Sequence, residues 1–123
     1  MSHRSSDHHQ ARDLLVSQQA EVRARIAALE REYRTVVEAN ALVAVDDEHD
    51  PEGSSTAFER AHVAALLAQG RQELEELENA MKRLDGGAYG RCEVCHSPIP
   101  AERLAVRPAA TRCVACAEAA PRR

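Results

Sequence analysis

Residues 11–45 read ARDLLVSQQAEVRARIAALEREYRTVVEANALVAV. Apolar residues recur seven apart at Leu15, Val22, Leu29, Val36 and Val43. A second row runs four residues after each member of the first, through Gln19, Ile26, Tyr33 and Asn40. Spacing that alternates four and three is the seam of a coiled coil, because it keeps one stripe of a helix facing a partner. From Asp7 to Val45 there is no Pro or Gly to interrupt it. A helix of about 35 residues is ~50 Å long, too long to be buried inside a compact domain of this size. Gln19 and Asn40 weaken the seam and can fix its register.

On the C-terminal side, residues 46–55 read DDEHDPEGSS. Pro51 and Gly53 punctuate helices, and carboxylates crowd the segment. The helical signal resumes with Thr56 and Glu59 at capping-box spacing, which predicts a new helix start there. A second seam then runs through Val63, Leu67, Gly70, Leu74, Leu77, Met81 and Leu84. Gly70 breaks its apolar character: either two helices approach closely there, or the coil is weaker by ~1 kcal/mol relative to Ala. Gly86-Gly87 ends the helix.

Each helix carries one apolar stripe, and neither stripe is stable in water. The expected fold is mainly α: an antiparallel two-helix coiled-coil hairpin over residues 11–85, with an acidic tip at 46–55. Residues 1–10, MSHRSSDHHQ, are polar and expected to be disordered. Residues 86–123 form a small C-terminal module that ends in a short helix.

Composition agrees. Aromatic residues make up 2% of the 123, with no Trp and one Phe, so a thick globular core is not expected. No apolar run approaches the ~20 residues of a membrane span, and the polar N-terminus lacks the apolar stretch of a secretory signal. The expectation is a cytoplasmic monomer with no membrane association. The net charge of −4 favours a protein partner over nucleic-acid phosphates, whose binding is driven by Lys and Arg.

The strongest chemical signal is the pair Cys92-Glu93-Val94-Cys95 and Cys113-Val114-Ala115-Cys116. A Cys-x2-Cys turn converges two sulfurs on one ion, and two such turns complete the tetrahedral shell that zinc prefers. With no open coordination position, the zinc is structural, and its binding energy is folding energy for a segment too small to fold alone. Clustered pairs in a reducing compartment favour metal over disulfides. His96 adjoins Cys95 as an alternative ligand, although with four Cys present it reads as a loop residue. Tyr89, Ile99, Leu104 and Val106 are the expected apolar packing around the metal. No nucleophile–base pair, phosphate loop or open metal site is evident, so an enzyme is not expected.

The stretch Asp85-Gly86-Gly87-Ala88-Tyr89-Gly90-Arg91-Cys92-Glu93-Val94-Cys95 is followed by Ile99-Pro100, Arg103-Leu104, Arg107-Pro108 and Thr111-Arg112-Cys113-Val114-Ala115-Cys116. This order closely resembles the DksA/TraR zinc-finger signature over the whole finger. The resemblance implies transcription control without sequence-specific DNA binding. Members of that family insert the hairpin into the secondary channel of bacterial RNA polymerase and act near its active site through acidic tip residues. Carried onto this chain, Asp47 and Asp50 stand at the Asp-x2-Asp spacing of the family tip, with Asp46, Glu48 and Glu52 as alternatives. Such carboxylates could coordinate or perturb a catalytic Mg²⁺, a hard cation. Taken alone, an acidic turn of Asp, Pro, Gly and Ser is an ordinary solvated loop.

Two departures stand out. Glu52 occupies the place of a usual Ala beyond the second Asp, and the tip lies about two residues further from Cys92 than in the best-known members. Members responding to guanosine tetraphosphate use basic residues at the finger–hairpin junction. Arg107 matches one, whereas Glu76 and Ala117 replace two lysines, so the resemblance implies a weak or absent response to the alarmone. Arg91, Arg103, Arg107, Arg112, Arg122 and Arg123 give the finger a positive bias; Arg91 and Arg107 are the candidate partner contacts. The competing readings are a zinc ribbon that binds nucleic acid, supported only by that basic finger, and a coiled-coil adaptor of another complex.

Overall fold

The structure is a computed structural model that describes residues 2–46 and 51–119, with side chains from residue 6 onward except at 40, 42–46 and 51–54. It contains α1 (Ser2–Asp46), α2 (Pro51–Asp85), α3 (Ala101–Val106) and α4 (Val114–Ala119). Among the described residues there is no strand, only an isolated antiparallel bridge between Arg91 and Pro98. The long helices form a hairpin. No helix among the described residues is long and apolar enough to cross a membrane.

The chain divides into two compact units: residues 1–20 with 75–123, and residues 21–74. In the second unit, Leu29, Val63 and Leu67 form the buried centre, flanked by Ile26 and Tyr33. The helices are antiparallel there. Arg25 Nη1 meets Glu73 Oε2 at 2.9 Å, and Arg71 Nη2 lies 3.5 Å from Glu30 Oε2. These exposed pairs contribute at most ~1 kcal/mol each. The apolar stripe does more, since burying one Leu or Val side chain is worth roughly 1.5–3 kcal/mol.

The first seam row is buried at Leu15, Val22, Leu29 and Val36, and the polar member Gln19 is buried with it. Asn40 and Val43 lie outside the described side chains. In α2, Val63, Leu67, Gly70, Leu77 and Leu84 are buried, while Leu74 and Met81 are half-buried. Ala80, absent from the predicted seam, is buried. Ala80 lies three residues after Leu77 and four before Leu84, so the inward stripe drifts by one position there, as a 3.6-residue helix does against a 3.5-residue repeat.

Three boundaries are corrected. Residues 2–10, expected to be disordered, are helical from Ser2. They contain no Pro or Gly, so nothing in them stops the helix that follows. The expected tip at 46–55 is shorter: Asp46 closes α1 and Pro51 opens α2. Proline is well tolerated in a first helical turn, where its missing N–H would have had no partner. Thr56, read as a helix start, therefore lies inside α2. Asp47, Glu48, His49 and Asp50 lie outside the described residues.

Candidate metal centre

The centre lies within the unit formed by residues 1–20 and 75–123. Its entry is set by the end of α2. Gly87 adopts φ 81°, and its N–H donates to the Leu84 carbonyl at 3.2 Å, while the Ala88 N–H donates to the Arg83 carbonyl at 2.8 Å. This is a Schellman closure, which needs a left-handed residue beyond the helix end. Gly90, also at φ 81°, leads into the first knuckle, and its carbonyl accepts from the Ile99 N–H at 2.7 Å.

The first knuckle is a tight loop. The Cys92 N–H donates to the Ser97 carbonyl at 2.9 Å, and the His96 N–H donates to the Cys92 carbonyl at 3.0 Å. His96 holds φ 63°, a left-handed conformation uncommon for a residue with a Cβ. In the second knuckle, Cys113 immediately precedes α4 and Cys116 lies within it; the Ala117 N–H donates to the Cys113 carbonyl at 2.9 Å. Glu93 of the first knuckle is tied to the two residues that lead into the second. The Glu93 N–H donates to the Thr111 carbonyl at 2.8 Å, and Arg112 Nε meets Glu93 Oε1 at 3.0 Å. Arg103 Nε holds the Arg112 carbonyl at 2.9 Å.

The four sulfurs all lie within 4.8 Å of one another, with Cys95 and Cys113 Sγ 3.8 Å apart. Sulfurs at ~2.3 Å from one tetrahedral ion stand roughly 3.8 Å from each other, so the donor set fits zinc. All four thiols are free of disulfides. The main-chain N–H of Cys95 points at the Cys92 sulfur and, with further N–H groups, brings that thiol down to about 5. Ser97 lowers Cys95 through its side chain and its N–H. In the metal-free cluster, Cys116 is pushed up to about 12, chiefly by the neighbouring Cys113 thiol. The fold therefore favours the thiolate form at Cys92 and Cys95 and leaves the Cys116 proton for the ion to displace.

The chain binds one structural zinc through these cysteines. His96 is exposed and is not part of the sulfur cluster. Around the centre, Cys92 and Ile99 are buried, and Tyr89 and Leu104 are half-buried. Val106, expected in this packing, is 81% exposed at the end of α3. Pro108, which the sequence reading did not include, is buried; its carbonyl accepts from the Tyr89 hydroxyl at 2.7 Å. Burial raises the Tyr89 hydroxyl above its ordinary value.

Of the candidate partner contacts, Arg91 is exposed but uses Nη1 on the His96 carbonyl at 3.0 Å. Arg107 is exposed at the end of α3, and its side chain makes no ion pair among the described residues. Glu76 and Ala117 are both exposed.

The model of the prokaryotic dksA/traR C4-type zinc finger matches residues 87–122. The chain is 37% identical over 65 residues to the uncharacterized protein YteA of Bacillus subtilis; the match covers 53% of this chain and 27% of YteA, about a quarter of that protein's length. It is 47% identical over 56 residues to an uncharacterized 8.2 kDa protein of Escherichia phage P2, covering 45% of this chain and 76% of the phage protein. The structure of the transcription factor DksA2 from Pseudomonas aeruginosa is similar over 93% of this chain and 82% of DksA2, with a TM-score of 0.77 and 29% identity. With four cysteines in the knuckle geometry described and these likenesses to finger and fold, the chain belongs to the DksA/TraR family of C4-type zinc-finger proteins.

Proposed function

We propose that this chain is a non-enzymatic transcription regulator that acts on bacterial RNA polymerase through its secondary channel. The observation that carries this reading is its likeness to the transcription factor DksA2 over 93% of its length. The closed four-cysteine site supports it, since such a site builds a knob and offers no position for catalysis. The net charge of −4 favours a protein surface over duplex DNA.

In this proposal the hairpin presents Asp47 and Asp50 to the polymerase active site, where hard carboxylate oxygens bias the environment of a catalytic Mg²⁺. Arg107 is the finger's contact to acidic groups on the channel rim, and Arg91 a second. Guanosine tetraphosphate adds little, because Glu76 and Ala117 stand where cations would hold its phosphates. Calorimetry on the complex with polymerase tests that point: strong alarmone binding through Arg107 overturns it.

The decisive experiment is transcription in vitro with purified bacterial polymerase, comparing wild type with Asp47→Asn/Asp50→Asn. The double variant is expected to bind polymerase and lose its effect on initiation. Equal activity of the two proteins refutes the carboxylate assignment. Failure of both to bind polymerase refutes the mode of action, and a steep salt dependence of duplex DNA binding then favours a nucleic-acid-binding zinc ribbon.

A further inference from the structure

Two arginines tie the first knuckle to the end of α2, all within one compact unit. Arg83, in the last turn of α2, donates through Nη2 to the Ala88 carbonyl at 3.2 Å and to the Arg91 carbonyl at 2.6 Å. Its own carbonyl accepts from the Ala88 and Tyr89 N–H groups at 2.8 and 3.2 Å. Arg83 is thus gripped by its main chain and grips in return with its side chain. One step further on, Arg91 Nη1 donates to the His96 carbonyl at 3.0 Å. His96 stands at φ 63°, and its N–H donates to the carbonyl of the metal ligand Cys92.

We propose that Arg83 and Arg91 form a relay through which metal occupancy of the first knuckle sets the order of the last turn of α2. Bound metal forces Cys92 and Cys95 to converge, and that convergence holds the loop between them and His96 in its left-handed turn. A residue with a Cβ leaves that conformation when nothing imposes it. When His96 relaxes, its carbonyl turns away from Arg91 Nη1. The main chain at Arg91 then loses its support, and Arg83 Nη2 loses its shorter acceptor. The turn formed by Gly86, Gly87 and Ala88 is left to hold itself.

The residue type suits the task. A guanidinium is a planar fork with several donors, able to serve two carbonyls at fixed angles, whereas an ammonium is a compact point charge on a flexible stem. The relay also gives Arg91 an internal role, distinct from the partner contact proposed above. Coupling between two sites is reciprocal, so an ordered α2 end must tighten zinc binding by the same factor.

Amide hydrogen exchange on the full chain tests the relay, with zinc loaded and with zinc removed by a chelator. In wild type, zinc removal is expected to speed exchange at Gly86, Gly87 and Ala88 by ~10-fold or more. In Arg83→Met these amides are expected to exchange fast already with zinc bound and to respond by less than about 2-fold, with zinc affinity reduced ~3–10-fold in competition with a chromophoric chelator. Arg91→Lys, a milder change that keeps the charge, is expected to fall between the two and to show reduced coupling even if Arg83→Met does not fold. Unchanged exchange at residues 86–88 on zinc removal from wild type overturns the proposal. So does an Arg83→Met or Arg91→Lys chain that responds as fully as wild type.

Discussion

Gly70 of α2 stands so close to Ile26 of α1 that a Cβ on it would lie 3.0 Å from Ile26 Cγ1. The glycine in the seam therefore marks a close approach of the two helices. Replacing it with Ala sets a helix-propensity gain of about 1 kcal/mol against an overpacking cost of roughly 1–3 kcal/mol. Gly70→Ala is expected to lower stability by about 1 kcal/mol with Ile26 present and to raise it by about as much in an Ile26→Ala background. Urea unfolding of the four proteins of this cycle measures the sign change; a gain in both backgrounds would show that the approach is not tight.

The Tyr89 hydroxyl reaches the carbonyl of the buried Pro108 at 2.7 Å. Tyr89→Phe leaves that carbonyl without its donor and is expected to cost ~1–2 kcal/mol. The loss should be confined to the finger, read as faster amide exchange at residues 109–112 while the α1 and α2 amides of residues 21–74 keep their protection.

Gly86 and Gly87 follow the last residue of α2, yet only Gly87 has a positive φ, 81°. A Cβ on Gly87 meets nothing within 4 Å, so its substitution is opposed by backbone conformation alone. Gly87→Ala is expected to cost about 1 kcal/mol, and Gly86→Ala to lie within ~0.5 kcal/mol of wild type. Thermal unfolding of the two variants distinguishes them, and equal costs would contradict the closure described here.

Acid should release the metal over a defined range. The Cys92 thiol lies at about 5 in the folded chain against 9.0 ordinarily, so its folded value is depressed. A depressed value contributes stability that is complete above about pH 9 and is lost as pH falls through about 5. Cys95 is lowered as well and acts in the same direction. The raised Cys116 thiol opposes them, since its proton must be displaced, so a dye-binding assay is expected to show zinc released progressively on acidification. Zinc held unchanged well below pH 5 would mean that protons do not compete with the ion for the four sulfurs.

The seam was legible because a two-helix pairing has a single inward stripe, and Leu15, Val22, Leu29 and Val63 announce it by spacing alone. Ala80 was missed because a methyl group carries little apolar signal, and its burial follows from the drift of the stripe rather than from its chemistry. Pro51 misled because the same residue that breaks a helix interior is welcome in a first turn. The four ligands were readable because a Cys-x2-Cys turn already carries the geometry the ion requires. The left-handed His96 was not, since a residue with a Cβ in that conformation leaves no mark on the sequence. The Arg83 and Arg91 contacts were hidden for another reason: they join carbonyls whose directions exist only once the knuckle has formed.

Among the described residues of 21–74, Leu29, Val63 and Leu67 form the buried centre, successive rungs of the stripe between the two helices. Each rung of this ladder depends on phase as much as on its own identity. Inserting one residue into one arm would turn everything beyond it by roughly 100° and carry the oily side chains out into water. Adding seven to each arm would restore the alignment, so the arms of such a protein can change length only in steps, and in concert.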